Sequence, residues 1–324
     1  TVLVYARPWV RTQKSSPPIL FVAAPVEPKT TVTSVGYGEV FETLPVDPDR
    51  PPLVRVAAIQ MASELGRIGS NRDRMTVLAN QAASLGAQMV VFPECALQGY
   101  MDVLGNRTWT AEKESSDGLD VSLVATTVPG SLTRHFAEIA RARKIYIALP
   151  LIEVADGKYY NALILLDPKG EIVAHHRKNS LWPPGDASWV TAGPGSASVI
   201  ETPFGRVGLM ICHDLHTMPP RLKKARADIV LYAVGWYGPN VENWYRDIFP
   251  RRYVVPNGFA VVAANWAVPP GEKDWGGAGY SCVIDANGGV IAMAKTPTDE
   301  EIVIGELRVK ESPVVVKVEA PDDE

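Results

Sequence analysis

Apolar residues in this chain come in short, dense runs, separated by glycine, proline and charged turns. The first core run is Leu53-Val54-Arg55-Val56-Ala57-Ala58-Ile59-Gln60, of strand length. From about Asn71 the period changes. Met75, Leu78, Ala79, Ala82 and Leu85 recur at helical spacing, and Gly86 ends the segment. Residues 89–92 are continuously apolar and predict a buried strand that runs into Glu94. Strand, helix and strand in this order predict a βαβ unit with Glu94 at its carboxyl edge. Ser131 is placed to cap a helix whose inner face is Leu132, Phe136, Ile139 and Ala140.

Hairpins dominate the middle of the chain. Strands over 145–154 and 159–166 flank the turn Asp156-Gly157, and a regular register sets Asn161 opposite Glu153. A second turn, Asp167-Pro168-Lys169-Gly170, leads through 171–176 to Lys178. A third hairpin, over 197–201 and 206–211 around Pro203-Phe204-Gly205, delivers Cys212. Further strands are predicted over 228–234, 259–265, 280–284 and 301–307, with a helix over 241–255 that Pro250 interrupts. Alternating strands and helices with many hairpins predict an α/β layered fold with mixed sheets.

The ends differ in character. Residues 1–52 are rich in Pro, Thr and Val, with a candidate strand over 19–24. They read as an extension that packs on the main domain or on a partner subunit, or as a trimmed second domain. The core spans 53–310. The tail, 311–324, carries Val314-Val315-Val316-Lys317-Val318 and ends acidic. Loops over 100–130 and 179–195 are expected to cover the site.

Composition narrows the function classes. With 324 residues, 46% of them hydrophobic, the chain can bury a large core. A net charge of -4 carries no footprint of nucleic acid, and the apolar runs are too short to span a bilayer. The three cysteines, Cys95, Cys212 and Cys282, are too few and scattered for a disulfide framework or a zinc site. Neither metal nor cofactor is expected. His175 and His176 fall on opposite faces of one strand and cannot share a metal. A working thiolate favours a reducing compartment, so a cytoplasmic location is expected; the chain begins at Thr1, which leaves a secreted or periplasmic one open.

The candidate chemistry sits at three predicted strand ends: Glu94, Lys178 and Cys212. A lone cysteine reads as a small buried hydrophobe. Glu94 and Lys178 at matching strand ends change that reading, because a thiol of pKa about 8.5 needs a base or a cation beside it. Histidine is the usual alternative partner, with His175, His176, His213 and His216 as candidates. The His213 side chain, next to Cys212 in sequence, is expected to point away from the thiol. Cys95 and Cys282 read as core. Arg221, Lys223, Lys224 and Arg226 read as a solvated helix face. Trp182, Trp189, Trp236, Tyr237, Trp266 and Trp275 read mainly as packing residues, with an aromatic-lined substrate pocket as the other reading.

Three segments in order, Phe92-Pro93-Glu94, Arg177-Lys178 and Gly208-Leu209-Met210-Ile211-Cys212-His213-Asp214, resemble the signatures of the nitrilase or carbon–nitrogen hydrolase superfamily. Gly277-Ala278-Gly279-Tyr280-Ser281-Cys282-Val283-Ile284-Asp285 resembles its late strand and turn. The resemblance covers about residues 53–307. It implies an αββα sandwich whose subunits pair into a longer αββα-αββα stack, so a homodimer or larger homo-oligomer is expected. It also implies a Glu-Lys-Cys triad, with Glu94 as general base and acid, Lys178 as electrostatic stabiliser and Cys212 as nucleophile. Glu153 matches the family's second glutamate near the site, and the His213 N–H is expected to help bind the oxyanion. The implied reaction is hydrolysis of a small linear amide or carbamoyl compound through a Cys thioester. A nitrilase, an N-acyltransferase and a catalytically silent scaffold are the alternatives. His213-Asp214 after the cysteine, where nitrilases often carry Trp-Glu, favours amides. His216-Thr217-Met218-Pro219-Pro220 departs from the amidase pattern by keeping the proline and lacking the acid.

Overall fold

The computed structural model describes residues 2–5, 19–20, 53–101, 108–111, 119–236, 241–267 and 279–308. Expectations for Tyr237, Trp275, Gly277, Ala278 and the apolar tail segment at 314–318 lie outside these. In chain order the elements are β1 (Val2–Tyr5), β2 (Ile19–Leu20), β3 (Leu53–Gln60), α1 (Ile68–Ser84), β4 (Met89–Val91), β5 (Trp109–Thr110), β6 (Leu119–Asp120), α2 (Ser131–Arg143), β7 (Tyr146–Ala155), β8 (Lys158–Leu166), β9 (Ile172–Arg177) and α3 (Pro183–Asp186). They continue as β10 (Val199–Thr202), β11 (Gly205–Ile211), α4 (Pro219–Lys224), β12 (Ile229–Ala233), α5 (Val241–Asn243), β13 (Ala260–Ala264), β14 (Cys282–Ile284), β15 (Val290–Met293) and β16 (Glu300–Arg308).

Two mixed sheets carry the fold. One runs β2-β1-β16-β3-β4-β7-β8-β9, the other β10-β11-β12-β13-β14-β15. Each is built on a parallel trio, β3-β4-β7 and β11-β12-β13, with antiparallel strands outside it. Strand alternation sorts the side chains. Val54, Val56 and Ala58 of β3 point inward with Val91, Ala148 and Leu165, and meet Leu209, Leu231 and Val262 of the other sheet. Ala57 and Ile59 point outward, where Met75, Leu78 and Ala82 of α1 and Phe136 and Ala140 of α2 cover them. On the far side Leu222 of α4, Tyr245 and Phe249 cover Met210, Val230 and Val261. The layers are therefore α, β, β, α, as expected. At Gly305 of β16 the layers press close: a Cβ there would lie 2.8 Å from the Val283 side chain.

Local details differ from expectation. Asn161 pairs with Ile152, and Glu153 with Tyr160, because the Asp156-Gly157 turn closes on Ala155 and Lys158. Ser131 is the first helical residue rather than the cap; the Gly130 N–H instead donates to Thr133 Oγ1 at 2.7 Å. Helical winding persists beyond α5 and past Pro250, as π-helical turns over Trp244–Ile248 and Pro250–Val254. The wider winding accommodates the N–H that proline lacks. No described helix is long and apolar enough to cross a membrane.

Phe136 is fully buried, its ring edge-on to Phe92 with centroids 6.4 Å apart. We expect Phe136→Ala to cost about 3–5 kcal/mol in urea unfolding. A loss below about 1 kcal/mol would show that this face does not depend on the ring.

Candidate active site

The carboxyl ends of both parallel trios open on the same edge, and the chemistry collects there. Phe92 and Pro93 carry the chain from β4 to Glu94, whose backbone is pinned twice. Its N–H donates to Val234 O, just past β12, at 3.2 Å, and its carbonyl accepts Trp266 Nε1 at 2.8 Å. Both bonds cross from one sheet to the other. The side chain, 1% exposed, accepts Lys178 Nζ and Asn161 Nδ2 on one oxygen, Oε1, each at 2.7 Å.

Lys178 follows β9 directly, and its N–H donates to Asn161 O at 2.8 Å. Its ammonium, fully buried, also meets Asp186 Oδ2 at 2.8 Å. Asp186 is in turn held by the Tyr100 hydroxyl at 2.7 Å and by the Trp182 N–H at 2.7 Å. Burial raises Glu94 above the usual carboxylate range, against the pull of Lys178. For Lys178, burial favours the neutral amine, but the fields of Glu94, Cys212 and Asp186 outweigh it and keep the ammonium charged.

Cys212 begins the turn after β11 in a left-handed conformation, φ 38°, unusual for a side chain with a Cβ. Its thiol lies 3.8 Å from Gly235 O, and its carbonyl accepts the Tyr232 hydroxyl at 2.8 Å. Burial, then the Glu94 field, push the thiol pKa up, so a base must take its proton as it reacts. Gly235 is where the end of β12 slips past. A Cβ there would fall 2.5 Å from Glu94 Oε2 and 2.2 Å from the Trp266 ring, so the carboxylate and the ring can approach this backbone only because the residue is glycine. A cavity of about 330 Å³ opens over Cys212, lined by Trp182, His213, Leu215, His216, Tyr232, Gly235 and Trp236.

The profile of the family described as Carbon-nitrogen hydrolase matches residues 55–312, most of the chain. The chain belongs to that family. It is 30% identical over 268 residues to the nitrilase and fragile histidine triad fusion protein of Drosophila melanogaster, covering 78% of this chain and 53% of that protein. It is also 28% identical over 266 residues to an omega-amidase of Bos taurus, covering 79% and 89%. The chain spans about half the length of the Drosophila fusion protein, and the same share of a bifunctional nitrilase/nitrile hydratase of Lupinus angustifolius. A solved amidase of the nitrilase superfamily from Nesterenkonia shares the fold with a TM-score of 0.62 at 21% identity, covering 79% of this chain and 90% of that one.

Within this carbon–nitrogen hydrolase fold, Glu94 and Lys178 pair directly, and Glu94 Oε2 and the Cys212 thiol both lie at Gly235. Glu153 does not join them. It is buried, but its carboxylate is clamped by Arg177, at 2.6 and 2.8 Å, and by His175 Nε2 at 2.9 Å. The one-residue register difference that gives Asn161 to Ile152 also gives Asn161's amide to Glu94. His213 reaches the cavity wall, with Nδ1 3.2 Å from Ser180 Oγ and its ring packed edge-on against His216 at 4.5 Å. Trp182 and Trp236 line the cavity, while Trp189 packs on Tyr100.

Two acids carry weight that sequence reasoning did not assign. Asp186 is the second acid at Lys178, in a Pro- and Gly-rich loop with no periodicity to flag it. Asp214, fully buried, accepts the Asn179 and Ser180 N–H groups at 2.9 and 2.8 Å and pairs with His176 Nε2 at 2.7 Å. It ties the loop after Lys178 to the turn after Cys212. Its place two residues after the cysteine was the available signal.

The Glu153 clamp has a pH consequence. Burial alone would raise its pKa, but the bonds from His175 and Arg177 lower it to about 2. A depressed folded pKa contributes stability above the unfolded value, lost as pH falls from about 4.5 toward 2. Allowing for the partly exposed partners, this is on the order of 2–3 kcal/mol at neutral pH. We expect Glu153→Gln to lose about that much at pH 7 and to show a flatter loss between pH 5 and 3. Unfolding curves at several pH values that track the wild type would remove the clamp's role.

Proposed function

We propose that the protein hydrolyses a small linear amide or carbamoyl compound through a thioester on Cys212. The observation that carries this reading is the convergence of the Glu94–Lys178 pair on Gly235, next to the Cys212 thiol, under a small aromatic cavity. Glu94 takes the thiol proton as sulfur attacks the amide carbon. Lys178 and the His213 N–H stabilise the charge that develops on oxygen. Glu94 then gives its proton to the leaving nitrogen, the C–N bond breaks and ammonia or an amine departs. Water passes a proton to Glu94 as its oxygen attacks the thioester; the C–S bond breaks and the thiol regains its proton. The raised pKa of Glu94 suits both directions of transfer, since base and acid must interchange in each turnover.

The relatives support this reading without choosing the substrate, because they are named as amidases and as nitrilases. One Nesterenkonia amidase structure is described as carrying the acetamide moiety of fluoroacetamide on its active-site cysteine. The bond formed there is a thioether, with fluoride as the leaving group, so it supports the nucleophilic role assigned here to Cys212 and not the thioester itself. Pairing of subunits belongs to the same reading, and so does a reducing compartment, which keeps the thiol usable. A monomer by light scattering at micromolar concentration would remove the pairing.

The test is a panel of acetamide, butyramide, glutaramate and N-carbamoyl-β-alanine, with butyronitrile matched to butyramide. We expect ammonia release from the amides and a higher kcat/KM for butyramide than for butyronitrile. A consistently faster nitrile makes the protein a nitrilase, and acyl transfer to hydroxylamine that outruns hydrolysis makes it a transferase. No turnover, with Cys212 inert to fluoroacetamide by intact mass, leaves a silent scaffold.

Cys212→Ala, Glu94→Gln and Lys178→Ala are each expected to lower kcat/KM by at least about 10³-fold, with double variants far from additive. Lys178→Ala is also expected to unfold more easily, because it leaves two buried carboxyl groups without their cation. Near-normal turnover by any folded variant removes that residue from the mechanism.

A further inference from the structure

Cys212, directly after β11, holds a left-handed φ of 38°. For a residue with a Cβ such a conformation is disfavoured and persists only when its surroundings hold it. On one side the hold is evident: Asp214 Oδ2 accepts the Ile211 N–H at 3.3 Å. On the other side stands Tyr232. It comes from β12, where it pairs in parallel register with Met210, two residues before the cysteine. Its hydroxyl donates to the Cys212 carbonyl at 2.8 Å. Burial, then the Cys212 field, hold the phenol far above its usual pKa, so it keeps the proton that it donates. Its ring is 1% exposed and stacked on Phe249, with the planes 2° apart and the centroids at 5.8 Å. The hydroxyl is thus delivered by a side chain with little freedom to move.

We propose that Tyr232 is a positioning residue for the nucleophile, fixing through this one hydrogen bond both the Cys212 sulfur and the peptide that follows it. The peptide between Cys212 and His213 is planar and trans, so a bond that sets the carbonyl direction sets the His213 N–H direction too. The inference rests on the mechanism given above, in which that N–H stabilises the oxyanion. Tyr232 touches no reacting atom in this role. It also lines the cavity, so loss of its hydroxyl has to be separated from loss of substrate contact.

The test is Tyr232→Phe, which keeps the ring and its stacking and removes only the donor. The substrate is the fastest amide of the panel above. Its matching aldehyde, which forms a hemithioacetal oxyanion with Cys212, reports on the transition state, and its matching acid reports on the ground state. We expect kcat to fall at least tenfold with KM within about twofold. The aldehyde should bind correspondingly weaker, with the affinity for the acid and the pH profile unchanged. Phe249→Leu, which loosens the ring but leaves the hydroxyl, is the packing control and is expected to lower Tm more than kcat. The proposal is overturned if Tyr232→Phe keeps kcat and aldehyde affinity within twofold of wild type. It is overturned equally if the acid loses affinity in step with the aldehyde, or if Phe249→Leu lowers kcat as much. A wild type that turns over the amide beside an unaffected Tyr232→Phe variant sinks this inference alone; a wild type inert to amide and aldehyde sinks the mechanism beneath it.

Discussion

The buried ammonium of Lys178 is the constraint around which this edge of the molecule is arranged. An ion of that size removed from water costs several kcal/mol even after relaxation, unless its partners are close and well aimed. Its partners come from separate parts of the chain. Glu94 stands at the end of β4 and Asp186 in α3, each within 2.8 Å, and the Asn161 amide on β8 completes the Glu94 side. Tyr100 and Trp182 then fix Asp186. Forming the ion cluster therefore requires β4, β8, β9 and the loop through α3 to be in place together.

The same cluster explains the electrostatics of the site. One ammonium serves two carboxyl groups, and all three lie out of water. That combination keeps Lys178 charged while Glu94 holds its proton more readily than a surface glutamate. A thiol pushed up by burial cannot react as a ready-made thiolate. The bare backbone of Gly235, whose carbonyl faces the thiol, also lets the Glu94 carboxylate pack against it. Geometry and charge thus meet in one unit: Lys178 pairs with Glu94, and Glu94 packs on the glycine whose carbonyl faces the Cys212 thiol.

The two sheets converge at this edge through a few polar bonds as well as the apolar core between them. Glu94 bonds to Val234 and Trp266 across the gap, and Asp214 spans the turns after β9 and β11. These are buried groups, so each broken bond would leave an unsatisfied partner. The site is held by the same contacts that register one sheet against the other.

Much of this was legible in the sequence. Short dense apolar runs between turns marked the sheets and helical spacing marked the helices, since side-chain direction follows directly from backbone geometry. Glu94, Lys178 and Cys212 stood out because a charged residue or thiol closing an apolar strand is conspicuous, and their order matched a family pattern. Other features depended on contacts between distant segments. Glu153 and Asp186 are both acids near strand or helix ends, and nothing in the local pattern ranks one above the other. A register in which Asn161 faces Ile152, and a loop that folds Asp186 back under Tyr100, decide that Asp186 reaches Lys178 while Glu153 is taken by Arg177. Likewise the Tyr232 hydroxyl meets the Cys212 carbonyl only because β12 lies parallel beside β11. Periodicity determines which face a side chain takes, but the partner it meets there is chosen by strand order and loop path, which form only when the whole chain packs.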